Sequence, residues 1–389
     1  MGADRFLVYF LACGTCVVRG KHRRPREKFI MSVYVTKSFM PPKEEYIKYI
    51  ERIYNNGILT NQGPNVRELS DKLSGYLGVD NFHYLSNGTI ALQLALSALD
   101  IDGGDVITTP FSYVATTSSI LWQRCNPVFV DIEPNNFTID AAKIESAITP
   151  NTRAIMPVHV FGYACDVDAI QKIADKHNLK VIYDGAHAFG ARYQGKSLLS
   201  YGDISTCSFH ATKLFHTVEG GACIVRDAAV SNRLDLQKRF GHNGDNHLAL
   251  GINAKNSEFH AAMGLANFPY IDHIISERRR ASMCYDYALS GCVGRPRAQA
   301  GLEYNYAYYP VVFRDESELL RVFGALNRLD IYPRRYFYPS LNNLSYVPGA
   351  NACPISTDIA SRIACLPLYV GIPDATINQI ASVVKQNVR

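Results

Sequence analysis

No stretch of this 389-residue chain is long and apolar enough to cross a bilayer as a helix. The longest apolar run, Phe6 to Val18, has 13 residues, and its basic cluster follows it. A secretory signal has the opposite order, so that reading is excluded too. Net charge is scarce where it would matter. Of the 40 basic and 35 acidic residues, seven and two lie in residues 1–30, leaving 33 of each in the body. A neutral body offers no field for nucleic acid. Internal repeats and low-complexity linkers are missing. The ten cysteines lack framework spacing, and Cys13-Gly14-Thr15-Cys16 has no second pair to complete a zinc site. They read as reduced thiols of a cytoplasmic protein, with no metal centre and no membrane or nucleic-acid partner expected.

Met31 opens the segment Ser32-Val33-Tyr34-Val35-Thr36-Lys37, which reads like a natural start. Residues 1–30 are therefore expected to be an N-terminal extension that is not native, with a weak membrane anchor as the rival reading.

What the chain has is apolar content. At 47% hydrophobic and 19% charged residues it can bury a large core. Helix and strand patterns alternate from about residue 65. Val66, Leu69, Leu73 and Leu77 recur at three and four before Gly78, and Ser86-Asn87-Gly88-Thr89 opens a helix over Ile90–Leu99. Apolar runs at Asp105–Pro110, Pro127–Ile132, Arg153–Val160 and Lys180–Asp184 read as strands, with helices at Ala115–Gln123, Asp140–Ile148 and Asp166–His177 between them. Ile204–Phe209 and Gly221–Asp227 read as two more strands. Buried strands alternating with helices predict an α/β fold whose sheet is mostly parallel and covered on both faces. After about residue 270 the pattern predicts a smaller α+β domain. It holds a helix over Ser276–Leu289, a strand-like run Tyr304–Phe313, and helices over Glu316–Leu329, Thr357–Ala364 and Asp374–Gln386. The expected division is 31–272 for a large cofactor-binding domain and 273–389 for a small C-terminal one.

Asp184 ends one apolar run, and Lys213 lies 29 positions on, in Ser208-Phe209-His210-Ala211-Thr212-Lys213 with Glu219-Gly220-Gly221 after it. Pyridoxal phosphate chemistry needs that combination. A lysine amine condenses with the cofactor aldehyde, and a carboxylate keeps the pyridine nitrogen protonated so that the ring accepts electrons. The Ser86–Thr89 turn adds helix N–H groups and a hydroxyl suited to a phosphate. Taken singly, each feature has a plain alternative: a capping acid, a surface lysine, an N-cap. Gly190-Ala191-Arg192-Tyr193-Gln194-Gly195-Lys196-Ser197 satisfies the P-loop pattern, but Gly202 and Asp203 stop any helix after it, so it reads as a small hairpin.

These residues, with Thr109–Thr116, Asp184-Gly185-Ala186-His187, Gly251-Ile252-Asn253 and Leu366-Pro367-Leu368, resemble the DegT/DnrJ/EryC/StrS sugar-nucleotide aminotransferase family from Met31 onward. The resemblance implies the aspartate-aminotransferase-like (type I) fold and a homodimer with shared active sites. It assigns Gly88, Thr89 and Ser208 to the cofactor phosphate, Tyr113 to the face of the ring, Asp184 to its nitrogen and His187 to its hydroxyl. Asn253 would reach the phosphate in the partner subunit, and Lys213 would carry the amine chemistry. Some relatives replace that lysine with histidine and act as dehydratases; this chain keeps it. Its His-Ala-Thr-Lys and Glu-Gly-Gly resemble members that aminate C-4. Thr36–Pro42 and Leu59–Pro64 resemble members that make dTDP-4-amino-4,6-dideoxyglucose (viosamine). The implied substrates are L-glutamate and dTDP-4-keto-6-deoxyglucose, in a pathway to lipopolysaccharide or glycosylated flagellin. C-3 amination, or a UDP- or GDP-linked 4-keto sugar, is the alternative. Where many relatives read Asn-Tyr-Arg-Met, this chain has Asn253-Ala254-Lys255-Asn256.

Overall fold

The computed structural model describes residues 32–347 and 351–388, so the expectations for residues 1–30 and for Cys13 and Cys16 lie outside the described residues. Seven strands form the main sheet: β1 (Phe82–Leu85), β2 (Asp105–Thr108), β3 (Asn126–Phe129), β4 (Thr152–Met156), β5 (Lys180–Asp184), β6 (Ile204–Ser208) and β7 (Gly221–Val225). Their order is β1-β7-β6-β5-β4-β2-β3. Neighbours from β6 to β3 pair parallel, whereas β7 is antiparallel to both β6 and β1.

Alternation along each strand loads both faces of the sheet. Val106, Ala154, Ile182 and Ile204 pack with Leu92, Ala95 and Leu96 of the helix α1 (Gly88–Ala98) on one face. Ile107, Ile155, Val181 and Tyr183 pack with Val167, Ile170 and Ala174 of the helix Val167–His177 on the other. The parallel sheet covered on both sides is the one that the alternating pattern predicts.

Some helix ends are closed by buried acids from distant segments. Glu258, fully buried, accepts the N–H groups of Asn65 (2.7 Å) and Val66 (3.0 Å) at the start of Pro64–Leu77. Asp131 does the same for Ile355 and Ser356 at the start of Pro354–Arg362. Free N–H groups of a first turn are thereby satisfied without water.

In the C-terminal part, β8 (Tyr309–Val312) pairs antiparallel with β9 (Ile363–Leu366), and both pack on the helices Ile271–Ala288, Glu316–Asn327 and Asp374–Asn387. In this part three elements have a boundary that differs from the sequence expectation by more than two residues. The helix expected over Thr357–Ala364 runs from Pro354 to Arg362, and Ile363 and Ala364 belong to β9, where cross-strand pairing overrides helical continuation. Only Tyr309–Val312 of the run Tyr304–Phe313 pairs, because Tyr306 adopts a left-handed φ of 56° that breaks extension before it. The helix placed at Ser276 begins at Ile271. The segment Gly190–Ser197 is a hairpin as read, with strands Arg192–Tyr193 and Lys196–Ser197 turning through Gln194 and Gly195, both at positive φ. Val33–Tyr34 pairs with Ile331–Tyr332. Among the described residues, no helix is long and apolar enough to cross a membrane, and the eight cysteines are free.

Candidate active site

The parallel neighbours β5 and β6 end side by side, with Asp184 in register with Thr206. Ligands of open α/β sheets gather at such strand ends. The Asp184 backbone is fixed on both sides: its N–H donates to Pro157 and its carbonyl accepts from His159 (2.9 and 3.0 Å). The side chain is 5% exposed. Oδ2 accepts from the Thr116 hydroxyl at 2.7 Å and Oδ1 from the Ala186 N–H at 3.1 Å. Thr116 in turn shares a 2.7 Å hydrogen bond with Ser112. The carboxylate is thus oriented before any ligand arrives.

Lys213 sits in the loop that leaves β6. Phe209 and Phe215, both buried, anchor the loop, and the Phe209 N–H donates to Gly220 (2.7 Å) to close it. The N-terminal segment straps it from outside: the Ser38 hydroxyl donates to Ala211 (2.6 Å), and His216 Nε2 bonds the Phe39 carbonyl (2.7 Å). Burial pushes the Lys213 amine below its ordinary pKa, and the Asp184 carboxylate opposes that shift.

His187 is buried beside both. The Phe161 N–H donates to its Nδ1 (3.1 Å), so the proton of the neutral ring belongs on Nε2, making that atom a donor. Burial, with the Lys213 charge adding to it, holds this imidazole well below its usual pKa and therefore neutral. The ring lies parallel to Phe337 (5.6 Å) and edge-on to Tyr308 (4.8 Å).

An anion cradle completes the pocket. Asn87 caps α1 by accepting the Ile90 N–H (2.9 Å), leaving the Gly88 and Thr89 N–H groups at the pocket wall with Ser208. Close approach here requires glycine. A Cβ on Gly88 would lie 3.0 Å from Ser208 Cβ, and one on Gly221 would lie 2.4 Å from the Asn87 carbonyl carbon. Positive helix-dipole charge and free N–H groups together suit a phosphate.

One pocket therefore gathers Gly88, Thr89, Tyr113, Asp184, His187, Ser208 and Lys213. Asn253 is not among its lining residues; it is exposed, and its Oδ1 accepts from Lys255 Nζ at 3.0 Å. Sequence reasoning missed Thr116, which looked like an ordinary helix residue, and the wall formed by Tyr308, Arg334, Tyr336 and Phe337. The donor set fits pyridoxal phosphate: a cradle for its phosphate, a carboxylate for a protonated ring nitrogen, a donor for its hydroxyl, and an amine of lowered basicity.

The profile of the DegT/DnrJ/EryC1/StrS aminotransferase family matches residues 42–385. The chain is 40% identical over 364 residues to a dTDP-4-amino-4,6-dideoxy-D-glucose transaminase of Shigella dysenteriae, covering 91% of this chain and 98% of that protein. A transaminase of the same name from Escherichia coli is 39% identical over 360 residues, covering 90% and 97%. Among solved structures, DesI in the presence of its TDP-sugar product aligns with a TM-score of 0.86 and 31% identity, over 91% of this chain and 92% of that one.

Proposed function

The chain belongs to the DegT/DnrJ/EryC1/StrS aminotransferase family of pyridoxal-phosphate enzymes, and from that premise we propose that it moves the amino group of L-glutamate to C-4 of dTDP-4-keto-6-deoxy-D-glucose. The products are dTDP-4-amino-4,6-dideoxy-D-glucose and 2-oxoglutarate. The observation that carries the choice of sugar is the 40% identity to the Shigella transaminase over 98% of its length. The geometry of Asp184, Lys213 and the Gly88–Thr89 cradle supports the chemistry.

When bound, pyridoxal phosphate supplies an aldehyde for amines and a ring that withdraws electrons from the neighbouring carbon. In this reading the chain's residues do the rest. Gly88, Thr89 and Ser208 hold the phosphate, Tyr113 covers a ring face, and His187 Nε2–H donates to the ring hydroxyl. The Asp184 carboxylate keeps the ring nitrogen protonated. Lys213 Nζ, freed when an amino substrate takes its place, removes a proton from the carbon bearing the nitrogen and returns it one position away. The acceptor sugar then meets the same amine working in reverse.

The test of the acceptor is the NMR spectrum of the product formed from dTDP-4-keto-6-deoxyglucose and L-glutamate. An equatorial amine at C-4 is expected. An amine at C-3, or reaction confined to a UDP- or GDP-linked 4-keto sugar, would overturn the assignment.

The same reading makes the enzyme a cytoplasmic homodimer. Its two parts, 31–272 and 273–389, act as large and small domains, and its product is destined for lipopolysaccharide or a flagellin glycan. Support for the dimer comes from the surroundings of Asn253. Phe240, Leu248, Leu250 and Ile252 are exposed there, Leu250 by 93%, so the segment offers apolar surface for a second copy to cover. If Asn253 serves the partner's phosphate, Lys213→Ala and Asn253→Ala subunits should complement. Each alone is impaired, whereas their heterodimer has one site with both residues intact. Mixing the two after denaturation and refolding should recover a substantial fraction of wild-type turnover. No recovery would remove Asn253 from a shared site.

A further inference from the structure

The pocket wall supplied by the C-terminal part carries two phenols that the chemistry above does not use. Tyr308 comes from the segment entering β8 and Tyr336 from the loop after Ile331–Tyr332. Their neighbours Tyr285, Tyr304 and Tyr309 donate their hydroxyls to Pro367, Tyr308 and Asp286 at 3.0, 3.2 and 2.8 Å. Among the described residues, neither the Tyr308 nor the Tyr336 hydroxyl has a partner, although Tyr308 is only 5% exposed. Neither hydroxyl is shut off from solvent, since both line the open pocket, so a ligand that displaces water from this wall must replace its hydrogen bond.

Packing fixes both rings. Tyr308 stands edge-on to His187 (4.8 Å), to Phe161 (5.9 Å) and to Tyr336 itself (5.5 Å). Tyr336 packs against Phe337 (5.4 Å), with the Arg334 guanidinium 5.1 Å from its ring centre. The hydroxyls are therefore held in place, as recognition of a specific group requires. Tyr336 also lies within electrostatic range of the Lys213 amine. Burial pushes Tyr336 up to about 12, so it stays a neutral donor and acceptor throughout the working range.

Which substrate they serve follows from chemistry. The amino donor offers carboxylates that only accept and an ammonium that only donates, whereas two neutral phenols each donate and accept and so match a group that does both, a hydroxyl. The acceptor is flanked at its reacting carbon by C-5, which bears hydrogen, the methyl group and the ring oxygen (an acceptor only), and by C-3, which bears a hydroxyl that both donates and accepts. We propose that the hydroxyls of Tyr308 and Tyr336 hydrogen-bond the C-3 hydroxyl of the acceptor sugar and so decide which keto sugars react; this rests on the 4-keto-6-deoxyhexose acceptor proposed above. Such a site penalises an analogue lacking the hydroxyl, because its own phenols are then left unpaired.

The experiment follows the two half-reactions separately in the holoenzyme, by the absorbance of its bound cofactor. With Tyr308→Phe and Tyr336→Phe, conversion by glutamate should stay within about twofold of wild type, while the second-order rate with the keto sugar falls roughly 10- to 100-fold. Wild type offered the 3-deoxy acceptor should lose a similar factor, and the phenylalanine variants should lose little more with it. Equal slowing of both half-reactions, no slowing of either, or full wild-type reactivity toward the 3-deoxy sugar would each overturn the inference. A wild-type enzyme that answers glutamate but ignores dTDP-4-keto-6-deoxyglucose would overturn the acceptor reading itself, a result distinct from unaffected phenylalanine variants.

Discussion

Lys213→Ala should purify with cofactor bound and yet turn over at least roughly a thousandfold more slowly than wild type. Binding survives because the proposed holding groups lie elsewhere: the cradle at the start of α1, the carboxylate at the end of β5 and the imidazole of His187. The loop also survives. Its closure rests on Phe209, Phe215 and backbone bonds, none of which involves the lysine amine. Turnover fails because nothing replaces the base. Asp184 is committed to the ring nitrogen in this reading, and the one free lone pair of the His187 ring, on Nδ1, accepts the Phe161 N–H. A Lys213→Arg variant separates charge from basicity. It keeps a cation in the loop, but a guanidinium does not deprotonate in the working range, so it should be as inactive as alanine. The pH profile carries a signed prediction. Burial lowers the pKa of the Lys213 amine, so the neutral form that accepts a proton appears below the pH where an exposed lysine would supply it. Rate should rise with pH through that lowered value, and an added small amine should restore part of the activity to the alanine variant. Single-turnover absorbance with glutamate measures all three. Alanine-variant turnover within tenfold of wild type would remove Lys213 from the chemistry.

Much of this site was legible because its parts sit where the chain changes character. Asp184 ends a β-run and Lys213 follows the next one, so a parallel pair β5–β6 was enough to bring them to one edge. Adjacency itself was not legible, since the order of strands in a sheet depends on crossovers that periodicity does not encode. Thr116 shows the limit from another side. It lies in the first turn of the helix Ala115–Trp122, and nothing local distinguishes it from a core threonine until Asp184 arrives from 68 residues away. The Tyr308–Phe337 wall was hidden for a related reason. Its aromatic residues look like core, and Tyr308 and Phe337 do pack as core on one side while lining the pocket on the other. Short strands failed by competition: β9 follows a helix without a break, and only its pairing with β8 gives it away.

Asp184→Asn should leave the fold intact and remove most of the activity, roughly a hundredfold or more. Its fit can be worked out atom by atom. In the native site Oδ1 accepts the Ala186 N–H and Oδ2 accepts the Thr116 hydroxyl. An asparagine can keep its oxygen toward Ala186 and turn its amide nitrogen toward Thr116. The threonine hydroxyl then rotates to accept, donating to Ser112, with which it already shares a bond. No buried group is left unpaired, so stability should change little. What disappears is the negative charge. A neutral amide does not hold a proton on the pyridine nitrogen, and a neutral ring is a poor acceptor for the electrons left when Lys213 removes its proton. A second consequence separates this account from a simple packing defect. Asp184 raises the basicity of Lys213 against the effect of burial, so its loss should move the limb of the pH profile governed by that amine to lower pH. A variant that loses rate without that displacement would mean that Asp184 and Lys213 do not sense each other in the working enzyme. Near-normal turnover would mean that another residue holds the ring nitrogen.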